Sequence, residues 1–342
     1  MSKSEKSGKV VAVGIGSAGS RIASLLSKEN LFVDRFLFIS CDENDFVFAT
    51  DKPKIHIHAP FGRKLTPSIV RGLALQNIED ISRQIKGAEV VFVIAGLGGA
   101  TGSGLAPLIA QLASEAGSTA IGIAVMPFEF ERKLLFNAGI ALRWLRKNTN
   151  GVIIVDNNNL FKAASESMTL ADLYSAANHE CVKALSSLFA RPTESTLSLG
   201  INKVLSTVVC KGYSLLGISN SDSADKTEEA LAGAVISIGK LAETNETEKA
   251  AVILNCDRSL SASEVAKAVE RLGAMVNRNV DVEYAVVHCG TSQLQVSLIA
   301  SGFKSTKYDD YDPLYKILGD QNLEDQMEYC LPLDFDYLER CD

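Results

Sequence analysis

A chain of 342 residues, 46% of them hydrophobic, can bury a full core, and its length suits two modest domains better than one. Residues 304–342 hold eleven Asp/Glu against four Lys/Arg, which accounts for the whole net charge of −7 and leaves a balanced body. A balanced body argues against nucleic acid as a partner, because counterion release needs clustered cations. No apolar run approaches the roughly 20 residues that span a bilayer, and MSKSEKSGKV has no apolar signal core, so the expectation is a cytoplasmic protein without direct membrane insertion.

The first half alternates strand and helix. VVAVGIG (10–16), RFLFISCD (35–42), AEVVFVIAGLG (88–98), STAIGIAVM (118–126) and NGVIIVD (150–156) are apolar, β-branched runs with helical patterns between them. Unbroken apolar strands separated by helices imply a parallel sheet covered on both faces, the doubly wound α/β arrangement, with ligands beyond the strand C-termini. Leu170–Leu188 keeps helical spacing and reads as a connecting helix. After it LSTVVC (205–210) reads as a strand, 228–238 as a helix, AVILNC (251–256) as a strand, Ala262–Leu272 as a helix, and VEYAVVHCG (282–290) and LQVSLIASG (294–302) as strands. The expected organisation is a nucleotide-binding domain over 1–168, a central helix over 169–195, a smaller α/β domain over 196–303 and an acidic tail over 304–342, packed in part or mobile. The seven cysteines are scattered without Cys-x-x-Cys spacing and read as reduced thiols. His56 and His58 share a strand face but have no further Cys or His nearby in sequence, so no metal site is expected there.

Two glycine-rich turns carry the chemistry. Gly14-Ile15-Gly16-Ser17-Ala18-Gly19-Ser20 follows a strand and opens a helix, and Asp42 ends the next strand. This matches a dinucleotide fingerprint, but any phosphate exploits the same close backbone approach and unpaired helix N–H groups. The second turn, Gly98-Gly99-Ala100-Thr101-Gly102-Ser103-Gly104, also lies between a strand and a helix. A simple dinucleotide domain has no use for it, and two cradles suit a triphosphate better.

At these residues the chain resembles the tubulin superfamily, in its FtsZ branch, whose signature is Gly-Gly-Gly-Thr-Gly-Ser/Thr-Gly. Ala100 departs from it, and its methyl would disfavour a positive φ if the loop required one there. Met126-Pro127-Phe128-Glu129-Phe130-Glu131 resembles a second family segment, which implies that Glu131 meets the ribose. Asp156-Asn157-Asn158-Asn159-Leu160 is similar to a loop that lays Asn157 beside the nucleotide. Leu173-Tyr174-Ser175-Ala176-Ala177-Asn178 resembles the start of the central helix, which implies that Tyr174 stacks on guanine and Asn178 pairs with its edge. These two stand four apart, on one helix face. Lys211-Gly212-Tyr213-Ser214-Leu215-Leu216-Gly217 and 294–302 extend the likeness into the second half. The family's arginine after the ribose glutamate is missing or displaced to Arg132, and its Asn-Asp pair reads Asn178-His179.

The resemblance implies GTP and GDP as ligands, with Mg2+ accompanying the triphosphate, and head-to-tail filaments of this chain with itself or with a paralogous subunit. In such filaments an acidic loop covers the neighbour's γ-phosphate and polarises water. Here no Asp or Glu lies between Glu194 and Asp222, and the two family aspartates fall on Gly200 and Lys203. Lysine binds phosphate but, protonated, accepts nothing from water. This resembles β-tubulin, whose lysine in this loop faces a GTP that is not hydrolysed, so self-stimulated hydrolysis is expected to be weak or absent. The end, 331–340, resembles the peptide by which the family docks membrane anchors and regulators, and reads equally as a solvated acidic terminus. Three alternatives stand beside this one: an active GTPase in cell division using an acid from elsewhere, a dinucleotide-dependent oxidoreductase built on the first turn and Asp42, and a scaffold without ligand.

Overall fold

The computed structural model describes residues 10–313 apart from 48, 50, 61, 63, 161–167, 192–196, 222–226, 257–259 and 288–293. The tail peptide 331–340 and part of the expected 282–290 strand lie outside the described residues.

The apolar runs of the first half form β1 (Val10–Ile15), β2 (Arg35–Ser40), β4 (Val90–Gly96), β5 (Thr119–Met126) and β6 (Gly151–Asp156), with the short edge strand β3 (Lys54–His56) added. The second half supplies β7 (Tyr213–Ser221), β8 (Lys249–Asn255), β9 (Asp281–Val287) and β10 (Leu294–Phe303). Among the described residues these make one sheet in the order β3-β2-β1-β4-β5-β6-β7-β10-β8-β9. All neighbours are parallel except β10, which runs antiparallel to both β7 and β8.

Alternate residues of each strand enter different cores, as a period of two requires. Val11, Val13 and Ile15 pack on one face with α2 (Pro67–Ala74), α3 (Ile78–Ile85), α4 (Ala100–Glu115), α5 (Arg132–Lys147), α9 (Thr227–Gly239) and α10 (Ala262–Met275). Val10 and Ala12 pack on the other with α1 (Gly16–Leu26), α7 (Leu170–Leu188) and α8 (Gly200–Val208). The four-residue α6 (Asn157–Leu160) follows β6. The doubly wound expectation therefore holds, and α7 covers the Leu170–Leu188 stretch read as helical from its spacing, with Thr169 and Asp172 forming a capping box at its start.

The strand expected over 205–210 is absent: residues 205–208 are the second half of α8, and Val209 caps it. Val204 and Val208 are buried, with Ile201 and Leu205 packed beside them. Positions 201, 204, 205 and 208 follow the helical i, i+3, i+4, i+7 pattern, which overrides the β-propensity of the Thr-Val-Val run. The strand lies farther on, at β7.

Candidate functional site

Strands β1, β2 and β3 run outward on one side of the sheet and β4, β5 and β6 on the other, so the order reverses between β1 and β4. Ligands of open parallel sheets bind at such a switch point, beyond the strand C-termini. Both glycine turns are there, one after β1 and one after β4.

Backbone geometry explains the glycines. Gly16 opens α1 at φ +64° and Gly98 precedes α4 at φ +99°, where side chains other than glycine are strained. A Cβ on Gly19 would lie 2.2 Å from Ile94 O, and one on Gly102 would lie 2.0 Å from Gly96 O, so both helices approach β4 backbone to backbone. A Cβ on Gly16 would stand 3.3 Å from Thr101 Cβ, which puts the two turns in contact. Gly99 is exposed, at an ordinary φ of −73°, and a Cβ there would meet nothing within 4 Å. Ala100 is the first residue of α4, and so has no need of glycine's conformational freedom; the positive φ falls two residues earlier.

Neither α1 nor α4 has a side-chain cap or an acid in its first turn, whereas α7 and α10 carry full capping boxes. Leading N–H groups left without a carboxylate suit an anion. Ser103 turns inward: its Oγ accepts the Gly98 N–H (2.8 Å) and closes the second turn. Ser17 is exposed, Ala18 and Thr101 are half-buried, Gly104 is buried against Pro67, and Ser20 is buried with its Oγ unpartnered among the described residues. Burial pushes the Cys41 thiol up, partly offset by a hydrogen bond with Thr101, which ties the end of β2 to the second turn.

Asp42 caps a 3₁₀ turn, Glu43–Phe46, accepting both the N–H and Nδ2 of Asn44 at 2.9 Å. Its carboxylate thus has a local structural task. His56 and His58 sit with ring centroids 4.4 Å apart, and among the described residues no group of three His, Cys, Asp or Glu could hold a metal.

The residues beyond β5 and β6 meet the start of α7. The Tyr174 hydroxyl donates to Glu131 Oε1 in a short hydrogen bond, and the Phe128 N–H donates to Glu131 Oε2 at 2.9 Å. Burial and then the Glu131 carboxylate raise the Tyr174 phenol, so it stays a donor. Phe128 meets the Tyr174 ring edge-on at 5.5 Å between centroids. Asn178 is buried one turn later, while His179 is exposed with Nδ1 2.8 Å from Ser175 O. Asn157 is 7% exposed at the end of β6. Arg132 is exposed at the start of α5.

Gly200 and Lys203 lie elsewhere. Gly200 opens α8 at φ +71°. Lys203 Nζ is 2.7 Å from Glu283 Oε2 of β9. A Cβ on Gly151, the first residue of β6, would stand 2.1 Å from Val208 O, and Lys249, the first of β8, donates to Ser206 O at 2.8 Å. Helix α8 therefore sits at the strand N-termini, the edge opposite the glycine turns. Sequence reasoning missed Glu283, which is eighty residues from Lys203, and it missed Phe128 as a support for Glu131.

Two glycine turns side by side at a switch point define the nucleotide-binding class of doubly wound proteins. Residues 9–165 match the family described as "Tubulin/FtsZ family, GTPase domain". The chain is 27% identical over 313 residues to a "Cell division protein FtsZ" of Buchnera aphidicola, covering 88% of this chain and 81% of the relative. It is 24% identical over 319 residues to that of Caulobacter vibrioides, covering 89% of this chain and 62% of the longer relative. In fold it resembles "FtsZ dimer, empty (M. jannaschii)", with TM-score 0.76, 21% identity and coverage of 88% and 93%. It also resembles a Haloferax volcanii structure titled "CetZ2 from Haloferax volcanii - GTPgS bound protofilament", with TM-score 0.71, 19% identity and coverage of 94% and 99%. The tubulin/FtsZ GTPase-domain match covers residues 9–165, and the likeness to FtsZ proteins extends over most of the chain. No helix among the described residues is long and apolar enough to cross a membrane.

Proposed function

We propose that the chain is a cytoplasmic, FtsZ-like cytoskeletal protein that binds GTP and GDP across its two glycine turns and assembles head to tail, with itself or a paralogous subunit, in cell division or cell shape. The observation that carries this is the pair of uncapped glycine turns at the β1/β4 switch point. The N–H groups of Gly16–Ser20 and Gly99–Gly104 hold the phosphates, and Mg2+ enters with the triphosphate. Glu131 takes the ribose; Asn157, Tyr174 and Asn178 take the ribose side and the guanine. Residues 1–168, 169–195 and 196–303 act as nucleotide domain, connecting helix and second domain, and the tail docks an anchor or regulator.

Lys203 and the glycine turns lie on opposite edges of the sheet, so Lys203 reaches a phosphate only in a neighbouring subunit. It stabilises the triphosphate there and does not activate water, which makes self-stimulated hydrolysis weak. Heat-releasing the co-purified nucleotide and identifying it by chromatography tests the reading: GTP is expected, and a nicotinamide dinucleotide would overturn it. A second reading rests on Glu283, whose carboxylate stands beside Lys203 and could supply the missing acid. A specific activity that climbs with protein concentration and is lost in Glu283→Gln would favour that reading over the first.

A further inference from the structure

The chain that leaves β10 crosses back to the first half of the molecule. Arg143 of α5 pairs with Asp312, Arg146 donates to Lys304 O at 3.2 Å, and the Tyr213 hydroxyl donates to Asp309 Oδ1 at 3.1 Å. Tyr308 is 1% exposed, and a Cβ on Gly139 would lie 3.0 Å from Tyr308 O and Asp312 N. Residues 304–312 thus form a strap fitted closely against α5.

From this strap one side chain reaches the end of β6. Lys307 Nζ donates to Asp156 Oδ2 (3.1 Å) and to Glu129 Oε1 (3.0 Å). Asn158 links the same two residues from the other side. Its N–H and Nδ2 donate to Asp156 Oδ1 (3.0 and 2.7 Å), and its Oδ1 accepts the Glu129 N–H (3.1 Å). Lys307, Asp156, Asn158 and Glu129 therefore close a ring of hydrogen bonds. Asp156 is 1% exposed, and such a buried carboxylate needs its cation. Burial disfavours the Lys307 ammonium, but Asp156 and Glu129 outweigh it and leave its pKa raised, so the charge is kept.

Asn157 lies between two members of the ring, and Glu131 lies two residues beyond a third. We infer that Lys307 is a positioning residue for nucleotide binding: by bridging Asp156 and Glu129 it sets Asn157 and the Phe128–Glu131 turn at the distance the nucleoside requires. Arg143, Arg146 and Tyr213 hold the strap on α5 and β7, and Lys307 reaches from it to the site. The inference rests on the GTP-binding reading above.

Titrating the nucleotide-free full chain with a fluorescent GTP analogue, alongside guanidinium denaturation, tests it. Lys307→Gln should weaken GTP about tenfold, equivalent to ~1.4 kcal/mol. Lys307→Arg should recover most of that loss. Asp156→Asn should lose a similar factor, and the double variant should be no weaker than the weaker single one, as for groups in one network. Arg143→Ala loosens the strap without touching the ring, so it should lower stability and leave affinity within about twofold, inside the error expected for independent sites. Equal affinity losses in Arg143→Ala and Lys307→Gln would reduce Lys307 to part of a general brace and overturn the inference. So would a folded Lys307→Gln that binds GTP as wild type does. A wild type that binds no guanine nucleotide would overturn both this and the functional reading.

Discussion

Gly102→Ala places a methyl 2.0 Å from Gly96 O and 3.1 Å from Gly96 C, both backbone atoms of β4. Even in a C–H···O contact a carbon and a carbonyl oxygen rest at roughly 3.3 Å, so α4 has to retreat from the strand by about 1 Å. Leu105, Ala106, Ile109 and Ala110, all at 0% exposure, hold that helix against the core and would have to move with it. Overpacking in a dense interior costs typically 1–3 kcal/mol, and a backbone-to-backbone clash stands at or above the upper limit, about 3 kcal/mol. Gly99→Ala is the internal control. It adds the same methyl three residues away, at an ordinary φ of −73° and with nothing within 4 Å. Its cost is the cap preference for glycine over alanine, about 1 kcal/mol or less. Guanidinium denaturation of the two nucleotide-free variants measures the difference. Gly102→Ala unfolding within about 1 kcal/mol of Gly99→Ala would refute the close-approach argument. If Gly99→Ala remains folded but binds GTP more weakly, the open side of the turn faces the ligand.

Tyr174→Phe removes the donor to Glu131 and should weaken GTP roughly fivefold or more, with a smaller loss for 2′-deoxyGTP; equal losses in a competition titration would detach the hydroxyl from ribose recognition. Lys203→Ala breaks a half-exposed ion pair and should change monomer stability by less than about 1 kcal/mol, while sedimentation with GTP should show assembly lost. Lys203→Asp combined with Glu283→Gln puts a carboxylate where the family has one without like-charge repulsion, and phosphate release per subunit should then rise with protein concentration. Cys181 is buried and its thiol is pushed up to about 12, so alkylation followed by mass spectrometry should label it only after unfolding. Asp309 has its carboxyl raised above the ordinary 3.8 by burial, against the opposing hydrogen bonds from Thr306 and Tyr213. A raised folded value means the contribution is complete below the unfolded value and is lost as pH rises through the folded one. The stability of the wild type relative to Asp309→Asn should thus fall as pH is raised from about 3 toward neutrality, and a flat difference in denaturation midpoints would contradict it.

What was legible in the sequence was mostly what local pattern encodes. The continuous apolar runs announced strands buried on both faces, and the sheet has them. The helical spacing of Leu170–Leu188 gave α7, because a hydrophobic stripe is written within a few turns. The glycine turns marked close backbone approaches, and the structure has them at Gly19 and Gly102 against β4.

Only the tertiary structure decided which residues far apart in the chain meet. At α8 two local patterns compete, a β-branched run over 207–209 and the helical spacing of 201, 204, 205 and 208, and packing against β6, β8 and β10 selects the helix. Lys203 acquired Glu283 from β9, and Asp156 acquired Lys307 from beyond β10. The division of labour among the glycines, with Gly98 supplying φ, Gly102 closeness and Gly99 openness, depends on where β4 and α5 run. Periodicity and turn chemistry state whether a residue is buried or bent; strand order determines its partner, and that order is a property of the whole sheet.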